Sequence, residues 1–369
     1  MQSKKAVIIG SGIAGLAASI RLVAQGYEVH VYEKSDKPGG KLGHFSEAGY
    51  QFDTGPSLFT QPHQLEALLA LVGEKLSDYF TYQKMPVSCH YFYEDGTVIH
   101  AAADPELFAK EAHLKTGEPV SNIKNYLAAS EKLYTRIGQV FLDHSLHKFS
   151  TLFKIPLLSA LRAFKLPYVT RSMHKHNEKA FASKKLVQLF NRYATYNGSN
   201  PYVAPSMLTL IAHLEHNEGS FYPSGGMISI TNALVAVAKK HGVQFHFNSP
   251  VQKITTSSNK VSGVVVNDAA VPADLVVSNA DVYFTYLNLL GEPSKAQHIL
   301  KQERSSSALI FYWGIKKDFP QLSLHNIFFT ENYEAEFAHL FEVKIPFSDP
   351  TVYINITSVC EPGIQAPAG

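Results

Sequence analysis

The stretch Ala6-Val7-Ile8-Ile9-Gly10-Ser11-Gly12-Ile13-Ala14-Gly15 decides the fold class. Its first four residues are apolar and largely β-branched, as a strand covered on both faces of a parallel sheet must be. Beyond the glycines, Ile13, Leu16, Ala17, Ile20 and Val23 recur at helical spacing until Gln25-Gly26, a helix stop. Tyr27 to Tyr32 alternates as a second strand, and Glu33 stands at its end. Strand, glycine turn, helix, strand and terminal acid make the Gly-x-Gly-x-x-Gly dinucleotide fingerprint in its required context. The first glycine, Gly10, permits the tight turn; Gly12 lets a pyrophosphate approach the backbone; Gly15 lets the helix pack on the strand. Ala14 lies in the first helical turn, where unpaired N–H groups and the helix dipole favour phosphate. Glu33, 18 residues after Gly15, can accept hydrogen bonds from ribose hydroxyls, and its charge would repel a 2′-phosphate, which argues against NADP. The competing reading is a glycine turn in an ordinary β-α unit.

Composition bounds the rest. The chain has 369 residues, enough for two or three domains at roughly 150 residues each. Its 23 glycines and 19 prolines are ordinary, which excludes collagen-like and low-complexity classes. A net charge of +2 is too balanced to indicate a nucleic-acid partner. Two cysteines, Cys89 and Cys360, cannot build a disulfide scaffold or a Cys-rich zinc site, so a reducing cytoplasm is the default and no metal is expected. Charged residues make up only 17%, against roughly 25% in typical soluble domains. Such a chain is expected to keep apolar surface for a membrane or a large apolar ligand. Runs such as Ala6 to Ile9 and Leu234 to Ala238 fall far short of the ~18–20 residues needed to cross a bilayer. The apolar run after Lys5 stops at Gly10, too short for a signal peptide.

Two more glycine turns follow the fingerprint: Pro38-Gly39-Gly40-Lys41, then Gly49-Tyr50-Gln51-Phe52-Asp53-Thr54-Gly55-Pro56-Ser57. A Gly-Gly-Arg/Lys turn followed by Phe-Asp-x-Gly-Pro resembles the amine-oxidase-type flavoprotein superfamily. Within it the pattern is most similar to the bacterial carotenoid desaturases of the phytoene desaturase type. The resemblance implies FAD as cofactor, with Gly40 and Lys41 by the pyrophosphate and the Gly55-Pro56 loop near the flavin ring. It continues through Asn197 to Glu215, Gly219 to Met227, and the Ser278-Asn279-Ala280-Asp281 segment. It also places Val251 by the adenine, through its backbone, and adds Asn279 to the cofactor-binding set. The wording Gly-Gly-Lys-Leu and Gly-Pro-Ser-Leu-Phe-Thr is slightly closer to the 3,4-desaturases of 1-hydroxycarotenoids. Glu215 and Arg304, from segments the resemblance places near the substrate cavity, are candidate catalytic groups, with a structural ion pair or a surface position as the competing reading.

From Asp104 to about Ala194 the pattern is helical. Between Asp143 and Glu178 there is no acidic residue, while Lys148, Lys154, Arg162, Lys165, Arg171 and Lys175 alternate with bulky apolar groups. That composition suits a lipid interface, so peripheral contact with the inner face of the cell membrane is expected. Pro156 and Pro167 divide the stretch into short helices. Ser224 reads as the N-cap of a helix through Ile230, Leu234 and Val237. Val243 to Phe247 and Val261 to Val266 read as strands, Ala273 to Val282 as a buried strand with a polar end, and Ser305 to Trp313 with Val352 to Thr357 as an antiparallel sheet.

The expected architecture is α/β: a Rossmann-type FAD-binding domain interleaved with a mixed α+β substrate and membrane domain. Residues 1–95 and 221–290 supply the first, 96–220 a helical substrate region, and 291–369 a substrate-domain sheet. Members of the resembling family continue into a glycine-rich return to the flavin, whereas Glu361 to Gly369 stops before any such stretch, so a fragment is expected. The implied activity is FAD-dependent removal of two hydrogens from a C–C bond of a C40 carotenoid. The alternatives are an isoprenoid-binding escort of the same fold without redox chemistry, or a flavin amine oxidase; the latter needs an aromatic cage, and only scattered tyrosines and Trp313 offer one.

Overall fold

A computed structural model of the chain describes residues 3–138, 166–258 and 260–367. The chain divides into two compact units. The first comprises Met1–Gln83, Phe221–Arg304 and Glu361–Ala368; the second comprises Lys84–Ser220 and Ser305–Cys360.

In the first unit, β1 (Lys5–Ile9), α1 (Ile13–Val23) and β2 (Glu28–Tyr32) form where the opening motif places them. A four-stranded parallel sheet runs in the order Leu275–Ser278, β1, β2, Gln244–His246. Ala6 pairs with both Leu275 and Val29. Ala6, Val7 and Ile8 are fully buried because each face of the sheet is covered. On one face Ala6, Ile8 and Val31 pack with Leu16 and Ile20 of α1 and with Ile230, Leu234 and Val237 of the Ile228–Lys240 helix. On the other, Val7, Ile9 and Tyr32 meet Ile254 and Val264 of an antiparallel sheet built from Val251–Ser257, Lys260–Val266 and Ala269–Pro272. Each fully buried Val, Leu or Ile among them contributes roughly 1.5–3 kcal/mol by leaving water.

The Ile228–Lys240 helix is capped differently from the sequence expectation. Asp53 accepts from the Met227 and Ile228 amides at 2.9 and 3.3 Å. Ser224 lies beyond the left-handed Gly225-Gly226 turn, too far back to reach those amides, and its Oγ sits 2.9 Å from Thr81 Oγ1.

The second unit holds a mixed sheet in the order Val352–Asn355, His325–Phe328, Val87–Phe92, Val98–Ala102. The central pair is parallel, not antiparallel, and the outer pairs are antiparallel. Helices Pro105–Thr116, Val120–Leu133, Met173–Ala180 and Lys184–Asn191 accompany it. Asp104 starts the first of these by accepting from the Glu106 and Leu107 amides. Tyr91, Phe108, Ile123, Phe190 and Tyr193 form its core. Lys148, Lys154, Arg162, Lys165 and Pro156 lie outside the described residues.

Three expectations change. Ser305 to Trp313 forms no strand, and Leu309 is 81% exposed; among the described residues no neighbouring strand takes up its backbone groups, which an extended run requires. Residues 84–95 belong to the second unit, because Val87–Phe92 pairs with Val98–Ala102 and His325–Phe328. Residues 291–304 and 361–367 go with the first: Glu361 accepts from the Gly225 amide and the Tyr222 hydroxyl, and the Gln51 amide donates to the Gln365 carbonyl. Among the described residues no helix is long and apolar enough to cross a membrane.

Candidate functional site

The site is built on the turn from β1 into α1. Gly10 takes a left-handed conformation, φ +92°, and donates to the Tyr32 carbonyl at 2.8 Å. A Cβ on Gly15 would overlap the Gly10 carbonyl oxygen, so this close approach of helix to loop is open to glycine alone. Gly12 occupies the N-cap position of α1, where no side chain bonds the helix amides. The first turn, with Ala14 and Gly15, is therefore free to receive an anion. The opposite arrangement holds at the Ile228–Lys240 helix, whose N-terminus Asp53 occupies.

Three other segments close on this loop. Asn279, held by its amide on the Ile9 carbonyl at 2.8 Å, lays its side chain where Cβ atoms on Gly12 and Gly15 would stand. The Gly39-Gly40 turn comes from the other side: the Gly39 amide donates to the Ser11 carbonyl at 2.9 Å, and Gly40 faces the Gly12 Cα. Lys41 is exposed, and its carbonyl occupies the space a Cβ on Gly55 would need. Gly55 and the exposed Pro56 thus lie beside Lys41. Thr231, on the Ile228–Lys240 helix, donates its hydroxyl to the Leu42 carbonyl at 3.0 Å and fixes this turn.

Glu33 is buried at the end of β2. Its carboxylate accepts from the Ser11 amide and hydroxyl, both at 2.8 Å, and from the Ser35 amide at 2.9 Å. Burial alone would raise its pKa, but these hydrogen bonds outweigh burial and hold the carboxyl below the ordinary 4.5. The Ser35 hydroxyl adds to these bonds, so the carboxylate is held in place on both oxygens. Val251 begins its strand just after a turn whose Ser249 amide donates to the Glu33 carbonyl at 2.8 Å. The chain thus gathers Gly10, Gly12, Ala14, Gly15, Glu33, Gly40, Lys41, Gly55, Pro56, Val251 and Asn279 in one unit.

Sequence reasoning missed Ser11, which braces Glu33, and Asp53. Both sit inside quoted motifs, where the glycines drew the attention. Burial raises the Asp53 pKa, and the charge of Glu361 adds to this against the two amide bonds.

The two candidate catalytic residues fare differently. Glu215, in the second unit, is buried and bonded to Arg192 Nη2 at 2.8 and 2.9 Å, to Tyr196 at 2.5 Å and to Tyr91 at 3.3 Å. Desolvation opposes its charge, yet the Arg192 guanidinium and the other donors hold its pKa down at about 2. Arg192 also lies over the Tyr193 ring, 4.4 Å from its centroid. A carboxylate this firmly ionised and this fully bonded is a poor proton acceptor near neutrality. Arg304 is exposed at the end of the first unit.

A parallel sheet with a glycine turn opening an uncapped helix, an acid at the end of the next strand and a Gly-Gly-Lys turn folded against it defines a dinucleotide-binding oxidoreductase. The chain belongs to the flavin containing amine oxidoreductase family, whose model matches residues 13–308. Among individual proteins it is similar to a 1-hydroxycarotenoid 3,4-desaturase of a Flavobacterium species, 50% identical over 368 residues covering 99% of this chain and 74% of that protein. It is 32% identical to a 4,4'-diapolycopene oxygenase of a Methylomonas species, over 100% of this chain and 74% of that one. Solved structures share the fold: an oxidoreductase from Methanosarcina mazei (TM-score 0.55, 19% identity, 82% of this chain and 66% of that one), and a Rab GDI from Plasmodium falciparum (TM-score 0.50, 16% identity, 78% and 68%). The chain therefore spans about two thirds to three quarters of the length of these proteins. It is an FAD-dependent oxidoreductase, and the loops above fit that cofactor: the cradle has no room for side chains, and its helix N-terminus is left without a cap.

Proposed function

We propose that this chain desaturates a C40 carotenoid, and that 3,4-desaturation of a 1-hydroxycarotenoid is the favoured form of the reaction. The observation that carries the reading is 50% identity, over nearly the whole chain, to a protein named for that reaction. Bound FAD would supply the two-electron acceptor for a hydride from one carbon of the C–C pair, while the proton from the neighbouring carbon passes to a protein base or a bound water. The first-turn amides of α1 and the Lys41 ammonium would hold the pyrophosphate, and Glu33 would take a ribose hydroxyl. The Val251 backbone would serve the adenine end, and the Gly55-Pro56 loop the flavin end. Asn279 braces the turn from above. A hydrocarbon substrate offers almost nothing to hydrogen-bond, so its binding is apolar and the protein's part is positioning. Glu215 serves the second unit as a structural carboxylate and is not the base. Residues 1–83, 221–304 and 361–368 form the cofactor-binding part and the remainder the substrate part.

The acid-free basic stretch from Asp143 to Glu178 supports contact with an anionic lipid surface on the cytoplasmic side of the cell membrane, where such a substrate resides. The escort reading is tested first by colour: a purified protein absorbing at about 450 nm carries flavin, whereas an escort without redox chemistry does not need it. The reaction is tested by incubating the flavin-loaded protein with phytoene and, separately, with a 1-hydroxycarotenoid. A red-shifted product from the hydroxylated substrate is expected, since each new conjugated double bond lengthens the chromophore. A flavin-loaded protein that leaves both substrates unchanged overturns the reading.

A further inference from the structure

In the second unit, the turn Pro167–Thr170 and the start of the Met173–Ala180 helix are laced to residues 201–206. The Met173 amide donates to the Ala204 carbonyl at 2.8 Å, the Ser206 amide to the Arg171 carbonyl at 2.8 Å, and the His174 amide to the Pro201 carbonyl at 3.0 Å. Ser206 Oγ reaches the Pro167 carbonyl at 3.0 Å. This frame surrounds a basin of about 490 Å³ lined by Thr170, Arg171, Ser172, Lys175, Tyr202 and Val203.

Two features of the basin point to its occupant. The first is charge. Among the described residues Arg171 and Lys175 enter no ion pair, and Glu178, one helical turn beyond Lys175, lies 3.3 Å from His174 instead. Burial lowers the pKa of His176, on the same helix, and the charges of Arg171 and Lys179 lower it further, while burial and the charges of Glu334 and Glu178 raise that of Tyr202 in the lining. The second is the rim. Val203, in the lining, is 71% exposed, and Leu166 and Val169, chain neighbours of the lining residues Pro167 and Thr170, are 68% and 48% exposed. A free small anion would use the cations and ignore the rim. A bilayer uses both, with apolar side chains entering at the level of the acyl chains and cations at the level of the phosphates. A guanidinium and an ammonium lining one basin suit a phosphodiester, whose oxygens accept both a planar fork and a point charge.

We propose that this basin seats the phosphate of an anionic phospholipid, with Leu166, Val169 and Val203 entering the bilayer around it. The inference rests on the membrane contact proposed above and gives it a defined point of attachment. Both Arg171 and Lys175 lie outside the cofactor cradle, so variants there keep their flavin.

The test uses the full chain with FAD bound and vesicles of phosphatidylcholine with and without phosphatidylglycerol. Arg171→Gln with Lys175→Gln should weaken partitioning onto the anionic vesicles about 30-fold, at roughly a factor of five per cation, and flatten its dependence on salt. Val169→Ser with Val203→Ser should weaken it while leaving the salt dependence as it is. Inorganic phosphate, in excess and at matched ionic strength, should not release the wild type. Far-ultraviolet circular dichroism and thermal melting check that each variant is folded, and flavin absorbance that it is loaded. Unchanged partitioning of the double-cation variant overturns the seat while the membrane contact stands. Release by inorganic phosphate overturns it in favour of a free-anion site. A wild type that stays off anionic vesicles at low salt overturns both the seat and the membrane contact, leaving the desaturase reading to its own assay.

Discussion

Glu33 and Ser11 form a unit that a motif shows only in part. The acid at the end of the second strand is legible from its spacing, but the serine between two glycines is legible only once its amide and hydroxyl are seen on the carboxylate. Glu33→Ala therefore does two things. It removes the charge-assisted bond proposed to FAD, which should weaken binding by about 1.5–3 kcal/mol, and it leaves the Ser11 and Ser35 amides without an acceptor. Fluorescence titration with FAD checks the first effect and thermal melting the second; an unchanged Kd would remove Glu33 from the cradle. Gly15→Ala should cost about 1–3 kcal/mol of stability, because its methyl group meets the Gly10 carbonyl and α1 must move away from the turn. Glu215 gives the opposite lesson. A conspicuous acid in a segment tied to a substrate cavity is, in three dimensions, fully committed to Arg192 and two tyrosines. Arg192→Met strands that carboxylate in the core, and a loss of about 3–5 kcal/mol is expected in urea denaturation. No spacing in the sequence announces that Arg192, 23 residues earlier, is its partner, because the two meet only through packing.

At the scale of elements, what was legible follows from local physics. β1 reads as a buried strand because four consecutive apolar residues are tolerated only between two covered faces. The parallel sheet follows, since each strand passes through a helix or a long excursion before the next. Ser305 to Trp313 reads equally well as a strand and is not one, because alternation describes a segment's faces and says nothing about whether a partner strand exists. The Ile228–Lys240 helix lies where its apolar spacing puts it, but its cap comes from Asp53 in a hairpin 174 residues earlier in the chain, not from Ser224. Asp53→Ala should destabilise the first unit by about 1 kcal/mol, whereas Asp53→Asn keeps an acceptor and should recover most of it. Ser224→Ala should leave the helix as it is. Hydrogen exchange at the Met227 and Ile228 amides distinguishes these outcomes directly.

Across the molecule, acid should act on the second unit through two buried histidines. Burial pushes His216 and His325 from the ordinary 6.5 down to about 4. In the unfolded chain they take up protons from pH 6.5 downward, and in the folded chain they do not. Their contribution is therefore complete above pH 6.5 and is lost as the pH falls towards 4. Urea midpoints should decline over that window, and His216→Gln, which cannot titrate, should decline less; parallel pH curves for the two proteins would exclude His216. The pairing of Ala6 with Leu275 has a consequence of another kind, set by time and not by energy. Translation advances at about 5–20 residues per second, so β1 leaves the ribosome roughly 15 to 50 seconds before that partner strand is made. During that interval one apolar edge of β1 lacks its neighbour, and Asn279, which completes the turn, has yet to be made. A half-made chain therefore lacks part of the proposed cradle. Yield in an expressing cell should thus depend on what shields that edge, and slowing synthesis between residues 33 and 275 should lower it even with FAD in abundance.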